Sequence, residues 1–426
     1  MSGARRCVVV GLCLWGAGVQ VGEALGAAGM GLAVVGLIWG RAPWARLREL
    51  APGADATVVP QAGAAPPLPF RAYWPVWLFI GWALLAPLLA GGTPSSGGFF
   101  RVLDWGFVAV GAMAFAELDD RGRRAVCIAC GAMLVASCAV AGLQFFGAWP
   151  SAEAMQPLKL LHPSYERVYE PASATSTDHF MAGGLLFHRL KFAGVSGVLT
   201  LWAVALAARL RGRERVVAAA VAAVGLLSVL VFPVVRAGAL ALLAAAAVTA
   251  AIASGERRRV ALALAGGLLV LGGAAVGLNP EMRARVAAAT SLAGDEDRVY
   301  LRRAGMVALE KHPLVGLGAG RYHAIDYMDP GAPADVKEHR GKAHLQLLSI
   351  AIETGIPGAA LFLGMLVWMA VRLWPRGAAG LGVLVFLALM GLLHDPLFHP
   401  ETSMAFAFAL AAALGSSGRG GPRMAD

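Results

Sequence analysis

Charge is scarce in this sequence. Only 15% of its 426 residues are Asp, Glu, Lys or Arg, against about a quarter in soluble domains. Disordered chains are rich in charge and poor in apolar residues, so disorder is excluded. An ordinary soluble enzyme is excluded by the same shortage. Cysteine is scarce too. Cys7, Cys13, Cys127, Cys130 and Cys138 all lie in apolar runs. That placement excludes a disulfide framework and a zinc site. Cys127 and Cys130 form a C-x-x-C, which reads as two helix residues rather than a redox pair. What the sequence has in quantity is apolar chain. Hydrophobic residues make up 58% of it, and mean hydropathy is +0.66. Repeated apolar runs near 20 residues long are what a membrane-spanning helix requires.

These runs predict an all-α integral membrane protein with about twelve transmembrane helices. They fall near 7–21, 24–40, 74–91, 101–117, 125–146, 192–208, 216–232, 235–254, 260–278, 345–372, 378–393 and 402–415. The first run, behind Arg5 and Arg6, looks like a signal peptide. A second run follows almost at once, so an uncleaved hairpin fits better. Basic residues in the short loops set the orientation. One side collects 20 of the 36 Lys and Arg against eight acids; the other holds 16 against 18. The basic side is therefore cytoplasmic, and both termini are expected there. The net charge of +10 is a topology signal, with no basic patch for nucleic acid.

Three organisational units follow. Residues 1–278 carry nine spans, a Pro- and Ala-rich cytoplasmic linker at 41–73 and an outer loop at 147–191. Residues 279–344 form a large outer loop with short helices expected near 281–292 and 298–311. Residues 345–426 hold the last three spans and a cytoplasmic tail. Loops this long in a compact protein commonly carry function.

The spans are almost free of charge, whereas an ion-coupled transporter more often shows ionisable residues at mid-helix. Polar chemistry gathers on the outer face instead. The densest stretch runs from Arg298 to Gly358. His344 stands where the chain re-enters the membrane. Gly355-Ile356-Pro357-Gly358 interrupts the next span about three turns later. Gly316, Gly318 and Gly320 spell G-x-G-x-G without a strand before them or a helix after, so they read as a tight turn. Asp295-Glu296-Asp297 reads as a solvated loop. His394, Asp395, His399 and Glu401, in "HDPLFHPE", read as an ordinary turn between spans.

The combination resembles the O-antigen ligase and polymerase superfamily of polytopic glycosyltransferases. The family pattern ends its large outer loop on a histidine and places a glycine eleven residues later. Here these are His344 and Gly355, followed by "ETGIPG" at 353–358. The family's usual polar residue after the histidine is Leu345 in this chain. "HPLVGLGAGRY" (312–322) is similar to the family's Pro-x-x-Gly-x-Gly stretch. A loop arginine ahead of an Ala-Gly pair falls on or near Arg298, and an arginine opening the eighth span falls on Arg236. "GLLFHRLKFAGVSG" (184–197) resembles the start of the sixth span and offers His188, Arg189 and Lys191.

The resemblance implies transfer of a glycan from undecaprenyl diphosphate to a lipid A–core hydroxyl, at the periplasmic face of a bacterial inner membrane. It implies His344 as general base and Arg236, Arg298 and Arg189 as ligands of the diphosphate. His188, Lys191, Arg302, Arg303 and Glu353 are supporting candidates, with Arg302 and Arg303 competing with Arg298. The chemistry agrees with the residue types. A diphosphate leaving group needs charge stabilisation, which arginine supplies bidentately. A hydroxyl nucleophile needs a base near neutrality, which histidine supplies. Arginine alone can neutralise the diphosphate, so no metal and no cofactor are expected. The expected partners are the lipid-linked donor, the glycan acceptor and membrane lipids. Two other readings share these residues, an O-antigen or exopolysaccharide polymerase and a protein O-oligosaccharyltransferase; a lipid-linked sugar transporter is a further alternative, which predicts charge inside the spans and activity without His344.

Overall fold

Two helices at the start of the chain, α1 (Gly3–Gly18) and α2 (Glu23–Trp39), form a tight hairpin. Glycines set the tightness. A Cβ on Gly11 would stand 2.4 Å from the Ala33 nitrogen, and one on Gly29 2.2 Å from the Trp15 nitrogen. Small residues at such a contact let apolar helices gain dispersion energy where water gives no driving force.

The computed structural model describes residues 3–40, 70–148, 180–233, 235–252, 296–332, 342–376 and 378–415, with Gly266, Gly273 and Gly277. A 3₁₀ turn, Phe70–Tyr73, leads into α3 (Trp74–Leu89). Pro75 sits in its first turn, where a missing N–H costs nothing. Next come α4 (Ser96–Leu103) and α5 (Gly106–Ala116). Ser95 caps α4 by accepting from the Gly98 N–H at 3.0 Å. Asp119 caps α6 (Asp120–Phe145) by accepting from the Gly122 N–H at 2.7 Å. Then follow α7 (Arg189–Arg209), α8 (Gly212–Val231) and α9 (Arg236–Ile252). Later in the chain comes α10 (Glu296–Lys311). The chain closes with α11 (Gln346–Leu373), α12 (Ala378–Leu393) and α13 (Pro400–Gly415).

Two helices form the axis of the bundle. Nearly all of α13 is buried, and so are most residues of α7. A helix apolar all round belongs inside. The side chains left exposed on the surrounding helices include Leu88, Ile128, Val216 and Val371, which suits a surface bathed in lipid.

Helices stand at eleven of the twelve positions marked in the sequence. Of the remaining one, 260–278, only Gly266, Gly273 and Gly277 are described, each helical. Six helical segments among the described residues are long and apolar enough to cross a membrane, beginning with Phe70–Leu89 and ending with Gln346–Leu373. Two expected spans are not continuous. The run at 101–117 belongs to a segment that starts at Ser96 and breaks between α4 and α5. The run at 345–372 is broken at Gly355. The expected helix near 298–311 is α10, and the one near 281–292 lies outside the described residues. So do 41–69 of the linker and 149–179 of the first outer loop. The last residues of that loop, 189–191, form the first turn of α7.

Candidate functional site

The site is built around the break in α11. Gly355 has φ 73° and ψ 173°, a region essentially restricted to glycine. The break frees backbone groups, and four of them find partners outside the helix. The Leu317 N–H donates to the Ile352 carbonyl at 2.8 Å, and the Gly318 N–H to the Glu353 carbonyl at 2.9 Å. The Trp82 indole donates to the Thr354 carbonyl at 2.8 Å. The Ile356 N–H donates to the Pro313 carbonyl at 2.8 Å. A backbone break at membrane depth is tolerated only with such replacement.

The glycine-rich turn 316–320 is therefore a clamp on the broken helix. Gly316, Gly318 and Gly320 all have positive φ, and a Cβ on Gly316 would stand 2.5 Å from the Glu353 carbonyl carbon. The other side of the turn docks on the start of α4, where the Ser95 N–H donates to the Ala319 carbonyl at 3.0 Å. Gly355→Ala tests the clamp. A Cβ there would stand 2.2 Å from the Leu314 oxygen. The backbone strain alone should cost about 1–3 kcal/mol, read as a lower melting temperature of the detergent-purified protein. An unchanged melting temperature would mean that the turn does not clamp the helix at this point.

An ion pair sits beside the break. Arg101 of α4 meets Glu353 at 2.5 Å. The other Glu353 oxygen accepts from the Gly320 N–H at 3.0 Å. Arg101 also covers the Phe398 ring, 3.9 Å from its centroid, and Lys342 covers the same ring at 3.8 Å. A narrow pocket opens beside the pair, walled by Phe79, Trp105, Ile350 and Phe398.

Four histidines converge from three elements. His344 has φ 52°, a left-handed conformation that histidine adopts more readily than most residues. Its Nδ1 stands 3.1 Å from Nδ1 of His394. The two rings stack with centroids 5.2 Å apart and planes 9° apart. His394 neighbours His399 at 5.9 Å, and His399 neighbours His188 at 5.3 Å. His188 caps α7, its Nδ1 accepting from the Lys191 N–H at 3.5 Å. The Lys191 ammonium pairs with Glu401 at 2.8 Å.

The turn 394–399 is fixed to the start of α11. Asp395 accepts from the Ser349 hydroxyl at 2.9 Å and from the His344 backbone. The Leu397 N–H donates to the Gln346 side chain at 2.9 Å.

Burial governs the charges here. It pushes His394 down to about 3, helped by His344, Arg298, His188 and Arg189. His399 is held well below the usual histidine value, again first by burial. Both rings are therefore neutral at pH 7. Burial raises Asp395 to about 6 and lowers Lys342 to about 8.

The candidates read from the sequence fall as follows. His344, His188, Arg189 and Arg298 lie around one cluster, with Lys191 on its flank. Glu353 faces Arg101. Arg302 is half-buried and Arg303 exposed, one turn along α10 from Arg298. Arg236 opens α9; its side chain lies outside the described residues, as do those of Asp295, Glu296 and Asp297. Sequence reasoning missed Arg101 and Lys342, and it took His394, Asp395 and His399 for an ordinary turn. Among the described residues no group of three or more His, Cys, Asp or Glu side chains is placed to hold a metal ion.

Residues 221–363 match a family model described as O-antigen ligase. That segment is similar to O-antigen ligases. No curated protein matches the chain in sequence. The matched segment spans the second half of α8 through the break in α11. It therefore contains Arg236, Arg298, Arg302, Arg303, His344 and Glu353. Arg101, His188, Arg189, Lys191 and the turn 394–399 reach the same site from outside the matched segment. The family's enzymes are glycosyltransferase-like and act on lipid-linked glycans.

Proposed function

We propose that this protein transfers a glycan from undecaprenyl diphosphate to a hydroxyl of lipid A–core, as an O-antigen ligase. The convergence of Arg189 and Arg298 on a cluster that contains His344 carries this reading. The two arginines reach His394 electrostatically from different helices. With Arg236 they supply fixed positive charge for a diphosphate leaving group. Charge fixed before the reaction stabilises the transition state without reorganisation.

His344 takes the proton from the acceptor hydroxyl as its oxygen attacks the anomeric carbon. The bond to the diphosphate oxygen breaks, and its electron pair leaves on the diphosphate. No metal takes part. The polyprenyl carrier is itself a lipid and enters sideways between helices. The site faces the periplasm, and both termini lie in the cytoplasm of a bacterial cell, with the spans in its inner membrane.

Complementation of a ligase-deficient host tests the reaction. Wild-type protein should restore lipopolysaccharide capped with O-antigen on a gel. If carrier-linked chains lengthen instead, with no capped product, the protein is a polymerase using the same donor chemistry.

A further inference from the structure

The contact between His344 and His394 joins Nδ1 to Nδ1. One of these nitrogens must donate and the other accept, so the pair has two arrangements. If His394 donates, the hydrogen of neutral His344 sits on Nε2. His344 then has no lone pair there to take a proton. If His344 donates from Nδ1, its Nε2 carries the lone pair and acts as base. His394 then carries its own hydrogen on Nε2.

That Nε2 is buried and finds no partner among the described residues. An unpaired buried N–H is rarer and costlier than an unpaired buried acceptor. At rest, therefore, the pair favours the arrangement in which His394 donates and His344 is no base. An anionic oxygen accepting from His394 Nε2–H reverses that preference. Arg189 and Arg298 lie around the same ring, and an anion they hold would supply such an oxygen.

Resting on the reading of His344 as general base, we propose that His394 sets the tautomer of His344, and that a diphosphate oxygen of the bound donor switches the pair into its working arrangement. The chain of hydrogen bonds then runs from the diphosphate oxygen to His394 Nε2–H. It continues from His344 Nδ1–H to His394 Nδ1, and ends with the acceptor hydroxyl on His344 Nε2. When the hydroxyl oxygen bonds to the anomeric carbon, its proton passes to His344 Nε2. The electron pair of the breaking bond leaves on the diphosphate. The resulting imidazolium keeps its Nδ1–H on His394, whose neutrality at pH 7 makes it an acceptor. The base is thus armed only when donor is bound.

The test uses the full chain in a ligase-deficient host, at matched membrane levels, scoring the initial rate of whichever glycan product wild type gives. His394→Phe keeps a stacked ring and loses both nitrogens. His394→Asn replaces Nδ1 with an amide oxygen that accepts from His344. We expect His394→Phe to lose on the order of 100-fold in rate, part of the ~10²–10⁴ that a positioned base supplies. His394→Asn should stay within about tenfold of wild type. If His344→Ala is inactive while His394→Phe matches wild type, or Phe and Asn fall equally, the role of His394 is overturned and the base reading stands. If His344→Ala is active, the base reading itself falls. Ring ¹⁵N NMR in nanodiscs reads the switch directly. Adding undecaprenyl diphosphate should give His344 Nε2 the shift of a lone-pair nitrogen in wild type and leave it unchanged in His394→Phe. No change in wild type would overturn the arming step.

Discussion

Replacing His344 should abolish glycan transfer while leaving the protein in the membrane. A positioned general base contributes about 10²–10⁴-fold, so loss of the ring should reduce capped product to near background. His344 has a left-handed backbone, and alanine pays for that conformation where histidine and asparagine tolerate it better. Two variants therefore separate chemistry from strain. His344→Asn keeps the backbone preference and removes the base; His344→Ala removes both. Both should fail in complementation, and His344→Asn should accumulate in membranes at the wild-type level. The readout is lipopolysaccharide on a gel beside an immunoblot of the membrane fraction. Wild-type transfer by His344→Asn would remove His344 from the chemistry.

The broken helix is legible in the sequence. Gly355-Ile356-Pro357-Gly358, about three turns after His344, predicts an interruption inside a span. The interruption lies at Gly355. The G-x-G-x-G turn is legible as a turn because three glycines at alternate positions suit positive φ. Its docking on the break is not, since nothing in 316–320 specifies which carbonyls its amides will meet. The turn 394–399 escapes a sequence reading for a related reason. Its histidines follow a whole span after His344, and no spacing rule connects two turns so far apart in the chain. One signal is there: four titratable residues close together in a chain where charge is rare. Arg101 carries no signal at all, because an arginine at the outer end of a span ordinarily snorkels. Glu353 can be read as a residue that orients an arginine. Which arginine it meets depends on α4 packing against α11, and that is a tertiary fact.

The Arg101–Glu353 pair should be a sensitive polar contact in the fold. The side chains are 14% and 7% exposed, so neither charge is well hydrated. Removing one partner of a buried pair leaves the other uncompensated, at about 3–5 kcal/mol. Glu353→Ala carries an additional loss, because the Gly320 N–H loses its acceptor. That N–H anchors the clamp that holds Leu317 and Gly318 against the broken helix. Glu353→Ala should therefore lower the melting temperature of the purified protein sharply. Glu353→Gln keeps an acceptor for Gly320 and should fall in between. Arg101→Leu combined with Glu353→Ala should recover part of the loss, since neither member of the pair then remains as an uncompensated charge. The recovery should be incomplete, because Gly320 is still unpaired and Arg101 no longer covers the Phe398 ring. A double variant whose loss equals the sum of the single losses would show that the two side chains do not act as a pair. If they do, Arg101, on a helix outside the matched segment, joins Trp82 and Ser95 in tying the first half of the chain to the loop and helix that present His344.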